Sequence, residues 1–356
     1  MTDSKVIQYR FRVQFETGIR LVEKPELLRL IDSMKDEMVI IADQRFYKLY
    51  SAFFREIKQE IALLQIKVSP ESKDQSIITS IYQFLLEHHV SRNMQVLVMG
   101  GGTLMDIAAY AVSTFKRGIQ LVLVPTTVIG AVDAAYGGKT AYDMDHIRNL
   151  IGTFYPAKQV YLCYDFLKTL DKEDILNGWA EILKIYLIDP SLELPELLHV
   201  TYVPPKELIW QAAQAKLEIC SSDLFDHGKR RVLNLGHTFG HVLESVSNHS
   251  IPHGIAVALG ILASAELSMR MERIDKLTKN RIMNLFQEFP FSNYVGMDLP
   301  NQLIQEGKEI LLQDKKADKA TQLVLFSDWR EVETIQTREA TRIIKCLSDV
   351  VNQFIS

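Results

Sequence analysis

Residues 95–106, QVLVMGGGTLMD, decide the fold. Gln95–Met99 is an apolar run without alternation, the pattern of a strand buried on both faces. Gly100-Gly101-Gly102 ends it, and residues 104–116 then carry helical spacing. Outward from this strand–turn–helix unit the same rhythm repeats. MVIIA at 38–42 ends at Asp43, and further apolar runs cover 61–68 (IALLQIKV) and 120–124 (QLVLV). Helix-length segments such as 75–90 lie between them. Strands alternating with helices predict a parallel sheet covered on both faces. Residues 6–15, VIQYRFRVQF, alternate Tyr9, Phe11, Val13 and Phe15 with polar residues, so a half-buried strand is expected there.

After about residue 170 the texture changes. Residues 171–188, 206–220, 237–248, 255–273 and 276–288 carry helical apolar spacing. One strand-like run, TQLVLF at 321–326, interrupts them. The expected class is α/β plus α: a Rossmann-like nucleotide-binding domain over 1–170 and a helical domain over 171–356. The 356-residue length suits two domains.

Composition narrows the function. Hydrophobic residues make up 47% and charged residues 24%, which excludes a mainly disordered chain. Lys plus Arg number 40 against 44 Asp plus Glu, so no cationic excess favours nucleic acid. Cys163, Cys220 and Cys346 are far apart and form no CxxC, which argues against a disulfide scaffold and for a reducing compartment. No apolar stretch reaches the ~20 residues of a membrane helix. Met1-Thr2-Asp3-Ser4-Lys5 lacks the basic-then-apolar order of a signal peptide, so a cytoplasmic protein is expected.

Several clusters have residue types suited to chemistry. Glycines 100–102 let backbone N–H groups approach a phosphate at a helix N-terminus, though a tight strand–helix turn explains them as well. GxGxxG is absent. Asp43, ending a strand, suits ribose hydroxyls or a simple turn. Pro125-Thr126-Thr127 ends the next strand, and Asp133, Gly137-Gly138-Lys139-Thr140 and Arg148-Asn149 follow. Lys139 suits an anion or a surface turn. Glu181 and Lys184 share a face of the otherwise apolar GWAEILKIYLI, where an ion pair is costly unless used. LNLGHTFGH (233–241) sets His237 and His241 four apart, and His253 follows in PHG. Two histidines from adjacent helices and a carboxylate, for which Glu181 is the candidate, suit zinc with one position open. Arg230 and Asn234 lie near His237, with Asp226 a local acid. Asp314-Lys315-Lys316 is a late charge run that also reads as a solvated face.

Together GGGTLMD, VPTT, VDAAYGGKT, RNLIGTFYP, GWAEILK, LNLGHTFGH and PHG resemble the sugar phosphate cyclase family, and within it the dehydroquinate branch. The resemblance runs from about Asp43 to Lys316. It implies NAD against Asp43, Gly101, Gly102, Thr103, Asp106, Thr126 and Thr127, with Lys73, Asp133 and Lys139 also on the cofactor side. It implies zinc, or cobalt in its place, on Glu181, His237 and His253, and makes His241 a substrate-phosphate contact instead of a ligand. Asp133, Lys139, Asn149, Lys184, Lys216, Arg230, Asn234 and one of Lys315 or Lys316 would line a small anionic sugar phosphate. Arg117, in FKRG, would be lent across a homodimer interface. The implied reaction turns 3-deoxy-D-arabino-heptulosonate 7-phosphate into 3-dehydroquinate and phosphate, a step of aromatic amino acid biosynthesis.

Three positions depart from the family pattern. Arg148 stands where Lys is usual, and Asp226 where Glu is common. The Gly-Glu-x-x-Lys segment is blurred into Ser69-Pro70-Glu71-Ser72-Lys73. An aminodehydroquinate-type substrate therefore stays open. Keeping His241, Arg230 and Asn234 disfavours a sedoheptulose 7-phosphate cyclase. A metal-dependent NAD polyol dehydrogenase is the rival chemistry; a neutral polyol does not need the cations Lys139, Lys184, Lys216 and Arg230. A non-catalytic relative would not need an intact metal triad.

Overall fold

The computed structural model describes residues 15–34, 37–58, 60–69, 73–145, 147–195, 199–313 and 320–355. The strand expected at 6–15 lies outside these except for Phe15, as do Pro70, Glu71, Ser72, Lys315 and Lys316.

The first half alternates as its sequence predicts. Its elements are β1 (Gly18–Leu21), α1 (Lys24–Ser33), β2 (Met38–Asp43), α2 (Gln44–Leu49), α3 (Ser51–Glu56), β3 (Leu63–Ile66), α4 (Gln75–Glu87), β4 (Gln95–Gly100), α5 (Gly102–Thr114) and β5 (Gln120–Pro125). Then come β6 (Lys139–Met144), β7 (Ile147–Phe154) and β8 (Gln159–Leu162). Among the described residues, six strands form one parallel sheet in the order β1-β8-β5-β4-β2-β3.

The missing alternation in β2, β4 and β5 has a direct cause. Val39, Ile41, Val96, Val98, Leu121 and Leu123 enter one core with α4 and α5. Their neighbours Ile40, Ala42, Leu97, Met99, Val122 and Val124 enter a second core with α1, α2 and α3. Both faces are apolar, so the strands read as continuous runs. From β2 the chain steps one way to β3, then returns to place β4 on the other side of β2. This reversal opens a crevice beyond the strand ends, where Asp43 and Gly100 lie, as is usual for ligand sites in open α/β sheets.

The β6–β7 hairpin, which the sequence did not reveal, lies apart from the main sheet. It packs on α5, with Ser113 Oγ 2.8 Å from Thr153 Oγ1 and the Tyr110 and Tyr142 rings 5.0 Å apart.

The second half holds α6 (Lys172–Ile188), α7 (Lys206–Ser222), α8 (His237–Val246), α9 (His253–Arg270), α10 (Lys276–Asn284) and α11 (Leu299–Gln313). A hairpin of β9 (Thr321–Asp328) and β10 (Glu331–Thr337) precedes α12 (Ala340–Val351). Every residue of α9 from Gly254 to Ser268 is buried, so this helix is the axis of the half. Glycine sets its approach to α8. Gly236, the α8 N-cap, has φ +79°, and a Cβ there would stand 2.7 Å from the Val257 carbonyl oxygen. A Cβ on Gly260 would run into the Gly236 carbonyl itself. The contact sets the start of α8 against the middle of α9, and each helix begins with a histidine. Among the described residues, no helix is long and apolar enough to cross a membrane.

Candidate active site

The crevice at the β2–β4 reversal has a volume of about 740 Å³. Asp43 caps α2, its Oδ1 accepting from Phe46 N at 3.0 Å, and also faces the crevice. Gly101 caps α5 with extended backbone, and a Cβ there would lie 3.0 Å from the Thr127 methyl. Gly102 and Thr103 follow at the rim. Thr126 N donates to Gly100 O at 2.9 Å, and Thr127 Oγ1 accepts from Gly130 N at 3.0 Å. The first bond ties the end of β5 to that of β4, and the second fixes the turn that follows β5. Lys73 reaches the crevice despite its blurred local motif. Its ammonium is 2.7 Å from Asp106 Oδ2 and also donates to Asn149 Oδ1. Burial raises the Asp106 pKa, with Lys73 opposing.

Deeper in, α6, α8 and α9 converge. Glu181 Oε1 lies 3.6 Å from His237 Nε2 and 3.5 Å from His253 Nε2. These three residues can offer ligand atoms within 4.8 Å of one another. Both Glu181 oxygens are buried without a hydrogen-bonded partner. Lys184 pairs with Oε2 as a charge. Burial opposes ionisation of Glu181, but Lys184 and the histidines hold its pKa well below the ordinary value. Burial, then Lys184, pushes His237 down to about 3. Burial also works against a charged His253, but the carboxylates of Glu181 and Glu244 beside it bring it up to about 10. A buried carboxylate with unused oxygens, facing two imidazole nitrogens, fits a divalent cation: the His₂Glu donor set leaves a coordination position open.

The other ring nitrogens are engaged. His237 Nδ1 is 3.3 Å from the Leu235 carbonyl oxygen, and His253 Nδ1 is 3.0 Å from Glu244 Oε1. His241 stands outside the triad at the crevice, its ring centre 5.8 Å from that of His237.

The crevice continues into a second cavity of about 510 Å³, with Asp106, Asp133, Lys139, Asn149 and His237 on the shared wall. Its floor is cationic. Lys216, on α7, pairs with Asp133, and Lys184 Nζ lies 3.8 Å from the same oxygen. Burial alone would raise the Asp133 pKa, but Lys216 and Lys184 hold it below its ordinary value. Arg230 is buried, and its Nη1 donates to Gly137 O at 2.7 Å and Leu224 O at 2.9 Å. Lys139 pairs with Asp226, the shorter acid at that position. Asn234 lines the same cavity.

Arg117 is exposed and lines neither cavity. Lys315 and Lys316 lie outside the described residues. The sequence reading missed two participants. Glu244 follows His237 by seven residues on the same helix face, a spacing that signals proximity. Asp223 folds the segment carrying Asp226 and Arg230: its carboxylate accepts from His227 N at 2.9 Å, Gly228 N at 2.7 Å and Arg230 N at 3.2 Å.

The 3-dehydroquinate synthase N-terminal family model matches residues 63–177, and the C-terminal one matches 178–317. The 3-dehydroquinate synthase of Clostridium tetani is 30% identical over 353 residues, covering 96% of this chain and 93% of that protein. That of Pyrococcus furiosus is 39% identical over 304 residues, covering 83% and 82%. Among solved structures, a 2-epi-5-epi-valiolone synthase from Streptomyces hygroscopicus, with NAD+ and Zn2+ bound, superposes with a TM-score of 0.80. It is 23% identical and covers 98% of this chain and 99% of its own, a likeness of fold. Fold and sequence kinship together define a phosphate-eliminating cyclase, a carbon–oxygen lyase. The chain belongs to the 3-dehydroquinate synthase family.

Proposed function

We propose that this chain converts 3-deoxy-D-arabino-heptulosonate 7-phosphate into 3-dehydroquinate and inorganic phosphate. The carrying observation is the junction of the two cavities: a nucleotide crevice and a His₂Glu cluster open onto one pocket lined by Lys184, Lys216, Lys139 and Arg230. A substrate bearing a carboxylate and a phosphate needs those cations; a neutral polyol does not.

NAD would lie in the crevice against Asp43, Gly101, Gly102, Thr103, Thr126 and Thr127, with Lys73 and Asp106 toward its reactive end. A divalent cation, zinc or cobalt, would be held by Glu181, His237 and His253. Bound there, the two supply a hydride acceptor restored within the turnover and a Lewis acid for the carbinol oxygen.

The protein's part is binding and orientation. Arg230 and Lys216 take the carboxylate end, and Asn149, Asn234 and His241 take the phosphate, with Lys315 or Lys316 supplementing them. Lys184 and Asp133 stand beside the ring hydroxyls, and Lys216 with Lys184 keeps the Asp133 carboxyl ionised. The net change is redox-neutral: oxidation of a ring carbinol acidifies the adjacent C–H, and phosphate leaves with that proton on one of its own oxygens. Re-reduction, ring opening and intramolecular aldol closure complete the carbocycle. The two catalytic halves meet near residue 170, which we take as the domain boundary. Arg117, exposed and off this chain's cavities, suits a homodimer in which it serves the partner's site. Three free, buried cysteines suit a cytoplasmic setting.

The test is phosphate release from the heptulosonate phosphate with catalytic NAD and Zn2+, followed together with absorbance at 340 nm. Many turnovers of phosphate without net NADH are expected. Release only from sedoheptulose 7-phosphate or an amino analogue would reassign the substrate. NADH accumulating on a neutral polyol, without phosphate release, would replace the reading with a dehydrogenase.

A further inference from the structure

The two triad histidines are oriented by different means. His237 points Nδ1 at the Leu235 carbonyl, a backbone group of its own turn. His253 is the first residue of α9, and its Nδ1 meets Glu244 Oε1 at 3.0 Å, a carboxylate reaching across from α8. Glu244 is 8% exposed, in the last turn of α8, where a buried acid without a task is costly. It shares its helix face with His237 and His241. One helix thus carries a triad histidine and the side chain that orients the other.

The chemistry of imidazole gives this contact a consequence. A neutral ring that donates from Nδ1 must present its lone pair at Nε2, and Nε2 of His253 is the atom facing Glu181. A carboxylate acceptor also makes the ring a stronger donor toward a cation, beyond what a carbonyl does for His237. His241 and Arg148 also act electrostatically on the same carboxylate.

We propose that Glu244 is a positioning residue of the metal centre, holding the His253 ring and its tautomer so that Nε2 completes the triad. This rests on reading Glu181, His237 and His253 as a metal site. Glu244 acts through His253 and touches neither substrate nor nucleotide. The competing account is mechanical: the Glu244–His253 contact merely staples α8 to α9.

The experiment compares the wild-type protein, Glu244→Ala and Glu244→Gln. Each is stripped with chelator and titrated with Zn2+ against a chromophoric competitor, then loaded with Co2+ for its visible spectrum. Unfolding midpoints are measured on the metal-free forms. A tie that orients a ligand predicts a Zn2+ Kd raised about 10- to 100-fold in Glu244→Ala. Glu244→Gln, which still accepts from Nδ1–H but lacks the charge, shows a smaller loss. Both shift the Co2+ bands, and at saturating metal kcat falls while KM for the sugar phosphate holds. Wild-type Zn2+ affinity and an unchanged Co2+ spectrum in Glu244→Ala, with a lowered metal-free unfolding midpoint, would overturn the proposal in favour of the staple. If Glu244→Ala does not fold, Glu244→Gln decides alone, since it keeps the volume and the hydrogen bond. A wild-type protein that takes up no Zn2+ or Co2+ would instead refute the metal reading beneath it.

Discussion

Glu181 and Lys184 stand three residues apart on α6, their charged atoms in contact and each side chain only 1% exposed. An ion pair so far from water recovers its desolvation cost only through its neighbours. Here those are Asp133 beside Lys184 and two imidazoles beside Glu181. Replacing Lys184 with Met takes away the ammonium in contact with the buried carboxylate and leaves it only the two imidazoles. In metal-free protein the expected loss is about 3–5 kcal/mol, read from urea unfolding. Zn2+ supplies a substitute counter-charge, so the gap between variant and wild type narrows when the metal is added. An equal gap with and without Zn2+ would show that the ion does not reach Glu181.

His237→Ala removes one of three donors while leaving the Glu181–Lys184 pair in place. Metal content, measured by atomic emission after dialysis, and phosphate release are expected to disappear together. Full turnover in a metal-free variant would defeat the assignment of the triad.

Arg230 carries a different expectation. Its Nη1 is committed to Gly137 O and Leu224 O, which fixes the guanidinium plane and leaves its other donors for the cavity. Arg230→Ala is expected to raise KM for the anionic substrate 10- to 100-fold, the worth of charged hydrogen bonds of about 1.5–3 kcal/mol. The NAD Kd, measured by fluorescence quenching, changes far less because Arg230 lies off the nucleotide crevice. Arg230→Lys does not restore the wild-type KM, since an ammonium cannot reproduce the planar fork. Equal losses in substrate and NAD binding would count against the substrate role.

Asp174 gives the pH dependence a sign. It faces the nucleotide crevice near Leu170, and burial, then the Asp171 charge, pushes it up to about 6. The ordinary carboxyl value is near 3.8. Between those values the folded chain holds a proton that the unfolded chain has lost, so stability falls as pH rises through this window. Asp174→Asn removes the effect. Its melting temperature is expected to match wild type near pH 4 and exceed it above pH 6. The difference is on the order of 2 kcal/mol after allowance for solvent at a half-buried group. Parallel melting curves across this range would contradict it.

Much of this arrangement was readable because burial leaves a mark on sequence. β2, β4 and β5 feed two cores at once and so appear as unbroken apolar runs. α6 and α9 stand out for polar residues set in apolar helices. β1 and β8, at four residues each, are too short to show a period. β7 begins with four exposed residues, so its pairing with β6 has no apolar signature. α11 and α12 carry helical spacing as well. The site is harder still. Glu181 precedes His237 by 56 residues and His253 follows it by 16, and nothing local makes them meet. Their meeting depends on how closely three helices pack. Glu244 reads as an ordinary helix-surface acid until α9 is laid against it.

That closeness is itself testable. Gly260 faces the Gly236 carbonyl, and an added methyl has no room there. The obstacle is backbone, so relief requires α8 and α9 to move apart, at a cost of about 1–3 kcal/mol for overpacking. His237 begins α8 one residue after Gly236, and His253 begins α9 seven residues before Gly260. Separating the helices therefore also separates two of the triad's donors. Gly260→Ala is expected to lower the unfolding midpoint and weaken Zn2+ binding, although residue 260 touches neither cavity. Gly296→Ala, where a Cβ meets open space, is the control and is expected to leave Zn2+ affinity unchanged. Undiminished Zn2+ affinity in a destabilised Gly260→Ala would mean that the triad tolerates helix displacement, and that this close contact serves stability alone.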